Sequence, residues 1–349
     1  MSMNNKKKYD YLQMFRGLAA LSVVLHHAAM STDTFVGRLP MIMQQILSKG
    51  YLGVDFFFVL SGFIIYSSHH NDEKGILSLK TFVIKRFIRI FPPYWPISLT
   101  LLASYSLLPG LSQGNRGEIS LISSILLVPD SAPPALSIAW TLIHEMIFYM
   151  FFASFFLSSR VFFVCVIAWF SWIVVELLFA PLSVKQYSPV LAVFLNPINI
   201  EFILGMFVAF IHGRFSDKML WCISLLGMLI LFFLLPFVDF SNDNARLVIG
   251  FMFSFVVLAA VLFEKRKAYS RPSWLVKLGD ASYSIFLIHN PILSVVSRLF
   301  GKICSSWSMG MVFGLSVSII SGYVYHVFVE KPFILKLRRL LLTPAAKSC

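Results

Sequence analysis

The hydrophobic positions of this chain fall in long, uninterrupted stretches rather than in an alternating pattern. A helix needs about 20 mainly apolar residues to cross the hydrocarbon core of a bilayer, and ten stretches here approach that length. The strands of a membrane β-barrel would place apolar residues at every second position, so a barrel is not favoured. The pattern predicts an all-α polytopic membrane protein, a bundle of about ten transmembrane helices at roughly 11–30, 50–68, 91–109, 136–158, 161–180, 190–212, 219–237, 245–263, 280–299 and 308–329.

The connections between these stretches are short, and none is long enough to form a separate soluble domain. The longest of them, 109–135, contains a short apolar stretch at 119–128. This stretch is too short to cross a bilayer, so we expect a re-entrant or interfacial helix there. The composition agrees with a membrane protein. Of the 349 residues, 58% are hydrophobic and 13% are charged, the mean hydropathy is +0.80, and Phe alone accounts for 36 residues. A soluble enzyme or a nucleic-acid-binding protein is therefore excluded.

The formal net charge of +13 resembles that of a nucleic-acid-binding protein, but the charges follow the predicted helices. With the N-terminus in the cytoplasm, the cytoplasmic segments hold 21 of the 29 Lys and Arg residues. The outer loops hold 7 when Arg246 and Arg298, at the outer ends of two spans, are counted with them, and Arg16 lies within the first span. This bias is the one that the positive-inside rule describes, and it predicts that both termini lie in the cytoplasm. We expect a basic N-terminus at 1–9, a transmembrane domain at 10–332 and a basic tail at 333–349, with the basic loops close to anionic lipid.

Ionisable groups inside predicted spans are costly and usually face a cavity or a partner. Arg16 and His27 form such a pair in the first span. They are eleven residues apart, so they lie within about 20° of each other on a helix and roughly 16 Å apart along its axis. The alternative is that Arg16 extends to the inner surface and His27 caps the outer end of the helix.

Two carboxylates also fall inside predicted spans. Asp55 begins an aromatic run in the second span and needs a partner, which could be His27 or a helix terminus. Glu145 lies in the fourth span, with Thr141 four residues before it and Tyr149 four residues after it. The spacing places these three polar groups on one face of the helix.

Arg86 and Arg89 precede the third predicted span and share one helix face, so their guanidinium groups can converge on one anion. Pro92 and Pro93 follow, and we expect the third span to begin there. A basic flank with an interfacial aromatic belt is the alternative interpretation of this segment. His289, in the ninth span, stands two residues before Pro291 and is either a satisfied residue at a kink or part of a site.

Taken in order, these segments resemble the acyltransferase family 3 membrane proteins, in particular the branch that acts in exopolysaccharide production. The resemblance covers about residues 10–332 and rests on an ordered set of motifs. They are Tyr11-Leu-Gln-Met-Phe-Arg16 with His27; Gly53-Val-Asp55 through Phe63; Arg86-x-x-Arg89-Ile-x-Pro92; Trp140-Thr-Leu-x-x-Glu145-x-x-Phe148-Tyr149; Glu201-Phe-x-x-Gly205; Leu278-Gly-x-x-Ser282-Tyr283 through His289-x-Pro291; and Glu330-x-Pro332. The chain departs from the usual pattern at Gln13, Thr141 and Met146, where many members carry Asp, Ser and Glu.

The resemblance implies an integral inner-membrane O-acyltransferase that moves an acyl group, most often acetyl, from cytoplasmic acyl-CoA to a hydroxyl of a surface or lipid-linked carbohydrate. It implies a co-substrate rather than a tightly bound cofactor, and we expect no metal site. His27 is the expected general base, although an acyl-His intermediate is equally compatible, and Asp55 or Glu145 is expected to orient its other ring nitrogen. The residues expected to bind acyl-CoA or the acceptor are Arg16, Arg86, Arg89, Tyr94, Trp140, Tyr283 and His289.

Two other functions fit the same spans. A transporter or flippase for a lipid-linked saccharide could line its path with these charges, and a sensor or partner subunit would use them without chemistry. Acyl transfer requires both an anion-binding group and a base within reach of it, whereas a flippase requires neither. We expect no nucleic-acid partner, and the sequence leaves a homo-oligomer open.

Overall fold

The computed structural model describes residues 9–107, 118–179, 187–234, 237–238, 245–266 and 273–342. Within these ranges the chain is α-helical and has no β-strand. Most of the basic N-terminus and the last residues of the tail lie outside the described residues. The helices are α1 (Asp10–Phe35), α2 (Met41–Ser48), α3 (Gly53–His69), α4 (Ile76–Leu107), α5 (Leu121–Leu126), α6 (Ala139–Ala153), α7 (Ser159–Phe179), α8 (Pro189–Phe194), α9 (Asn199–His212), α10 (Asp217–Leu234), α11 (Ala245–Arg266), α12 (Ser273–Gly301), α13 (Trp307–Tyr325) and α14 (Lys331–Leu342).

Among the described residues, seven helical segments are long and apolar enough to cross a membrane. They correspond to the second, fourth, fifth and seventh to tenth predicted spans. The first and third predicted spans are also helical, with 26 residues in α1 and 32 in α4. The seven segments are Met41–His69, Ala139–Phe156, Ser159–Leu178, Asp217–Leu234, Ala245–Lys265, Ser273–Gly301 and Trp307–Leu342.

The sixth predicted span, 190–212, was expected to be one continuous helix, and this prediction is wrong. It is split into the six-residue α8 and the 14-residue α9. Pro197 lies between them and has no amide hydrogen to continue a helix. The side-chain amide of Asn199 donates to the carbonyls of Val193 and Phe194 at 2.7 and 3.0 Å, which satisfies the end of α8.

The third predicted span was expected to begin at Pro92, and this prediction is also wrong. α4 begins at Ile76 and continues through Pro92, Pro93 and Pro96. Neighbouring helices supply hydrogen bonds to carbonyls in this stretch, which is how membrane helices tolerate proline. The hydroxyl of Tyr283 donates to the carbonyl of Ile90 at 3.0 Å, and that of Tyr325 donates to the carbonyl of Pro93 at 2.7 Å.

The short apolar stretch at 119–128 forms α5, which packs against α4. Tyr94 and Trp95 of α4 donate to the carbonyls of Ser124 and Ile125 at 2.8 and 2.9 Å. The hydroxyl of Ser120, just before α5, donates to Asp130 in the loop that follows this helix. This hydrogen bond lowers the pKa of the Asp130 carboxyl.

Two helix crossings built on glycine hold the centre of the bundle together. α3 crosses α9 where Gly62 lies against the backbone of Phe202 and Gly205 lies against the carbonyl of Val59. α1 crosses α12 where Gly17 meets Gly279, and a Cβ on Gly17 would lie 3.1 Å from the Gly279 amide nitrogen. Because side chains are absent at these points, the backbones approach closely, as small residues allow in membrane helix pairs.

Candidate active site

A cavity of about 510 Å³ opens at one end of the bundle, between α1, α3, α4, α6, α12 and the C-terminal helices. Its wall carries more basic than acidic side chains, so it suits an anionic ligand. We call this end of the bundle the basic end. The ionisable residues and tyrosines of the wall are Arg16, Lys85, Arg86, Arg89, Glu145, Tyr149, Asp280, Tyr283, His326, Lys331 and Arg338.

Arg16 lines the cavity beside the Gly17–Gly279 crossing, where the backbones of α1 and α12 approach each other closely. The Arg16 guanidinium donates to the side-chain oxygen of Gln13 at 2.9 Å. The Gln13 amide in turn donates to Asp280 of α12, also at 2.9 Å. Gln13 therefore forms hydrogen bonds to both a cation and a carboxylate.

Arg86 and Arg89 both line the cavity but have different partners. Arg89 pairs with the buried carboxylate of Glu330 at 2.5 Å and lies 4.9 Å from the centre of the Tyr283 ring. Arg86 lies 5.6 Å from the ring of Tyr149, and no ion pair joins it to a carboxylate among the described residues. Arg89 is thus fixed in place, whereas Arg86 has its charge available for a ligand.

Glu330 itself is held by three donors. It accepts from Arg89, from the Ser284 hydroxyl at 2.7 Å and from His326 Nδ1 at 2.7 Å. His326–Glu330 forms one turn of π-helix between α13 and α14. Such turns are frequent at functional sites, because the extra residue redirects side chains.

α6 places Thr141, Glu145 and Tyr149 on the wall of the cavity, which confirms the predicted shared face. The Tyr149 hydroxyl donates to Glu145 Oε1. Tyr283 of α12 lines the same cavity. The carboxylate of Glu145 therefore faces the ligand space while one of its oxygens is held by tyrosine.

His27 and His289 form a pair beyond the inner end of the cavity. The His289 Nε2 and His27 Nδ1 atoms are 3.2 Å apart, and the ring centres are 5.0 Å apart. Phe286, which lines the cavity, lies one helical turn before His289, with 5.7 Å between their ring centres. The histidine pair therefore lies beyond the cavity along α12, and Phe286 lies between the cavity and the pair.

The hydrogen bonds of this pair assign the tautomers. His289 Nδ1 lies 2.6 Å from the carbonyl oxygen of Phe286, so Nδ1 carries the proton and Nε2 is an acceptor. His27 Nδ1 faces two acceptors, the Val23 carbonyl at 3.0 Å and His289 Nε2, so it must also carry its proton. Nε2 of His27 is left with a free lone pair. His27 is half-buried and His289 is fully buried, so the Nε2 lone pair of His27 is the more accessible of the two acceptors.

Comparison with known proteins identifies the class. Residues 9–327, most of the chain, match a family model described as an acyltransferase domain. The chain belongs to this acyltransferase family. No solved structure matches it.

Two curated relatives of this acyltransferase carry more specific names. The exopolysaccharide production protein ExoZ of Rhizobium meliloti (strain 1021) is 29% identical over 305 residues, which cover 82% of this chain and 90% of that protein. A Staphylococcus aureus (strain COL) protein named as an O-acetyltransferase is 27% identical over 393 aligned positions. The alignment covers 94% of this chain and 58% of that protein. The chain thus spans little more than half the length of the staphylococcal relative. The family and these relatives make the protein an enzyme that transfers acyl groups other than aminoacyl groups.

The expected orientation of His27 by Asp55 or Glu145 is wrong. His27 Nδ1 is held by Val23 and His289, while Asp55 pairs with Arg246 of α11 and Glu145 with Tyr149. The buried carboxyl of Glu201 lies close enough to Asp55 for the two groups to interact electrostatically. Two adjacent buried carboxyls require a cation, and Arg246 provides one that a neutral imidazole cannot replace.

Two further predicted site residues lie away from the cavity wall. Tyr94 is buried and ties α4 to α5. Trp140 is 43% exposed and packs against His144, with 5.9 Å between their ring centres. The residues that the structure brings together are therefore Arg16, Arg86, Arg89, Glu145 and Tyr283 around the cavity and the pair His27 and His289 beyond it.

Sequence reasoning assigned no role in the site to four residues that contribute to these clusters: Gln13, Arg246, Glu330 and Arg338. Arg246 had a detectable signal, because the buried carboxylates of Asp55 and Glu201 require a cation and Arg246 is a rare charge within a span. Glu330 was noted only as part of a motif, and its partner Arg89 is 241 residues away in the chain.

Proposed function

We propose that this acyltransferase spans the inner membrane ten times with both termini in the cytoplasm. It moves an acyl group, most often acetyl, from acyl-CoA to a carbohydrate hydroxyl. Seven apolar segments, together with α1, α4 and the broken α8–α9 pair, support a count of ten crossings. The bias of Lys and Arg supports a cytoplasmic location for the basic end, where acyl-CoA would be available. The name of the relative ExoZ supports a polysaccharide acceptor.

The observation that carries the proposal is the succession of a basic cavity and a histidine pair along α1 and α12. Arg86, Arg89 and Arg16 bind the phosphates of CoA at the basic end. The pantetheine arm then extends past Phe286 and brings the thioester to His27. Acyl transfer needs the anion site and the base in this order, whereas a saccharide transporter needs neither.

The chemistry proceeds on the free lone pair of His27. Nε2 removes the proton of the acceptor hydroxyl as the hydroxyl oxygen attacks the thioester carbonyl carbon. The new ester C–O bond forms and the C–S bond breaks, so that the sulfur leaves as the CoA thiolate. The proton on His27 then passes to this thiolate, and the neutral imidazole is restored. The hydrogen bond to His289 keeps Nδ1 protonated and Nε2 directed at the substrate.

Acetylation in a deletion strain tests this function. Surface polysaccharide from a strain lacking the gene should contain less ester-linked acetyl, and the wild-type gene should restore it. A His27→Ala gene expressed at the same membrane level should not. Purified protein should also transfer from acetyl-CoA without an ion gradient. Polysaccharide that is exported poorly but acetylated normally would favour the transporter instead.

A further inference from the structure

The last helix, α14, contributes to the cavity although it lies beyond the residues that match the family. Lys331 and Arg338 are seven residues apart, so they lie within about 20° of each other on one helix face. Ile334 lies between them on that face and is buried, and α14 packs against α4. This packing directs Lys331 and Arg338 to the cavity wall, at its solvent-exposed mouth.

The mouth therefore concentrates positive charge. Arg338 is close enough to Arg86 and Arg89 for their like charges to repel one another. The carboxylate of Glu330 is already shared by Arg89 and His326, and that of Glu145 accepts from Tyr149. Arginine and lysine side chains outnumber the carboxylates of the cavity wall, and such an excess of positive charge favours the binding of an anion.

Coenzyme A carries two separate anionic groups, the pyrophosphate beside the pantetheine arm and the 3′-phosphate on the ribose. Arg86 and Arg89 lie on the path of the arm, whereas Lys331 and Arg338 lie at the mouth, where the nucleotide remains. We propose that Lys331 and Arg338 bind the 3′-phosphate of the donor, so that α14 selects CoA over dephospho-CoA. This inference rests on the proposed acyl-CoA donor.

A lipid headgroup offers a similar phosphate. α14 also carries Lys336 and Arg339, which do not line the cavity and which suit contact with an anionic membrane surface. Arg339 is adjacent to Arg338 and is also exposed, and its side chain points about 100° away from that of Arg338 around the helix axis. Arg339→Gln is therefore a matched control that removes the same charge from the same helix.

The test measures the dissociation constants of acetyl-CoA and 3′-dephospho-acetyl-CoA for the full-length protein in nanodiscs, one set of uncharged lipid and one with anionic lipid. Wild type should prefer acetyl-CoA. Arg338→Gln should bind acetyl-CoA about 3- to 10-fold more weakly, a smaller loss than for a buried charge-assisted contact because Arg338 is exposed and its charge is screened. Its affinity for the dephospho form should stay at the wild-type value, which also shows that the variant is folded. Arg339→Gln should behave as wild type with both ligands.

Four results would overturn the inference. Equal affinity of wild type for the two ligands would remove the 3′-phosphate site but leave the acyl-CoA donor standing. Equal weakening of both ligands by Arg338→Gln would show a general electrostatic effect. If Arg338→Gln and Arg339→Gln alike lowered affinity only in anionic nanodiscs, the phosphate bound by α14 would belong to lipid. Failure of wild type to bind either ligand would overturn the proposed donor together with this site.

Discussion

At the residue scale, the proposed chemistry depends on one nitrogen, Nε2 of His27. The adjacent His26 has the same imidazole at the same depth, but its Nδ1 faces the carbonyl of Leu47 at 3.2 Å and it does not contact His289. His27→Ala should lose transfer activity by about 10²- to 10⁴-fold, the contribution of a general base, while still binding acetyl-CoA. His26→Ala should retain most of its activity. Transfer by both variants is compared at matched membrane levels, and an inactive His26→Ala beside an active His27→Ala would reverse the assignment.

In the proposed mechanism His289 acts through His27 and is a positioning residue. His289→Gln keeps an acceptor near His27 Nδ1, whereas His289→Leu removes it. His289→Leu should lower kcat by about 2- to 10-fold, the loss of one hydrogen bond, with KM for acetyl-CoA unchanged. His289→Gln should recover part of that loss. Steady-state kinetics on both variants measure it, and an identical loss in the two would assign His289 a packing role only.

The part of the site that depends on local helical geometry was predictable. Thr141, Glu145 and Tyr149 share a face because their spacing of four residues is close to one helical turn, and no distant residue alters that. The partner of a charged residue could not be predicted from local helical geometry. Arg89 pairs with Glu330 and Asp55 with Arg246, at separations of 241 and 191 residues, and such pairs depend on how the helices cross. For the same reason, the spacing of Arg16 and His27 gave their common side of α1 but not Gln13, Asp280 or His289 as their partners.

At the scale of elements, the crossing of α3 and α9 brings the buried carboxyls of Asp55 and Glu201 together, because they lie about two turns from Gly62 and one turn from Gly205. A Cβ at Gly205 would overlap the carbonyl oxygen of Val59, which is backbone and cannot turn away. The helix ends near proline and asparagine could not be predicted from these residues alone. α4 continues through three prolines while α8 ends before one, and the difference lies in the neighbours that satisfy each backbone.

Gly205→Ala should therefore destabilise the protein by about 1–3 kcal/mol, the usual cost of overpacking. The melting temperature in detergent, followed by size-exclusion or tryptophan fluorescence, should fall. Gly213→Ala is the matched control, since a Cβ there meets nothing within 4 Å and its φ of −86° suits alanine. Equal melting temperatures for Gly205→Ala and wild type would show that the two helices are free to separate at this point.

At the scale of the whole molecule, the helices divide into an inner and an outer set. In the spanning segments of α7 and α10, only 17% and 22% of the residues are buried, so these helices present apolar surface outward, as lipid-facing helices do. α1, α3, α9 and α12 carry the glycine crossings and the buried polar groups. Of this inner set, α1, α3 and α12 line the cavity together with α4, α6 and the C-terminal helices.

Topology is testable with single cysteines in a background without the native ones. With the N-terminus in the cytoplasm, position 302 lies outside and position 74 lies in the cytoplasm, and both are exposed lysines in the structure. A membrane-impermeant thiol reagent applied to intact cells should label Lys302→Cys and not Lys74→Cys. Permeabilised cells, in which both should react, provide the control. Labelling of position 74 alone would invert the bundle and place the basic end outside.

The most direct test of the central claim is equilibrium binding of acetyl-CoA to wild type, Arg86→Ala and His27→Ala in nanodiscs. Loss of one charge-assisted phosphate contact costs about 1.5–3 kcal/mol, so Arg86→Ala should bind about 10- to 100-fold more weakly, with partial rescue by Arg86→Lys, which lacks the guanidinium fork. His27→Ala should bind as tightly as wild type and transfer about 10²- to 10⁴-fold more slowly. Unchanged affinity in Arg86→Ala, together with lost affinity in His27→Ala, would contradict an anion site at the basic end and a base beyond it.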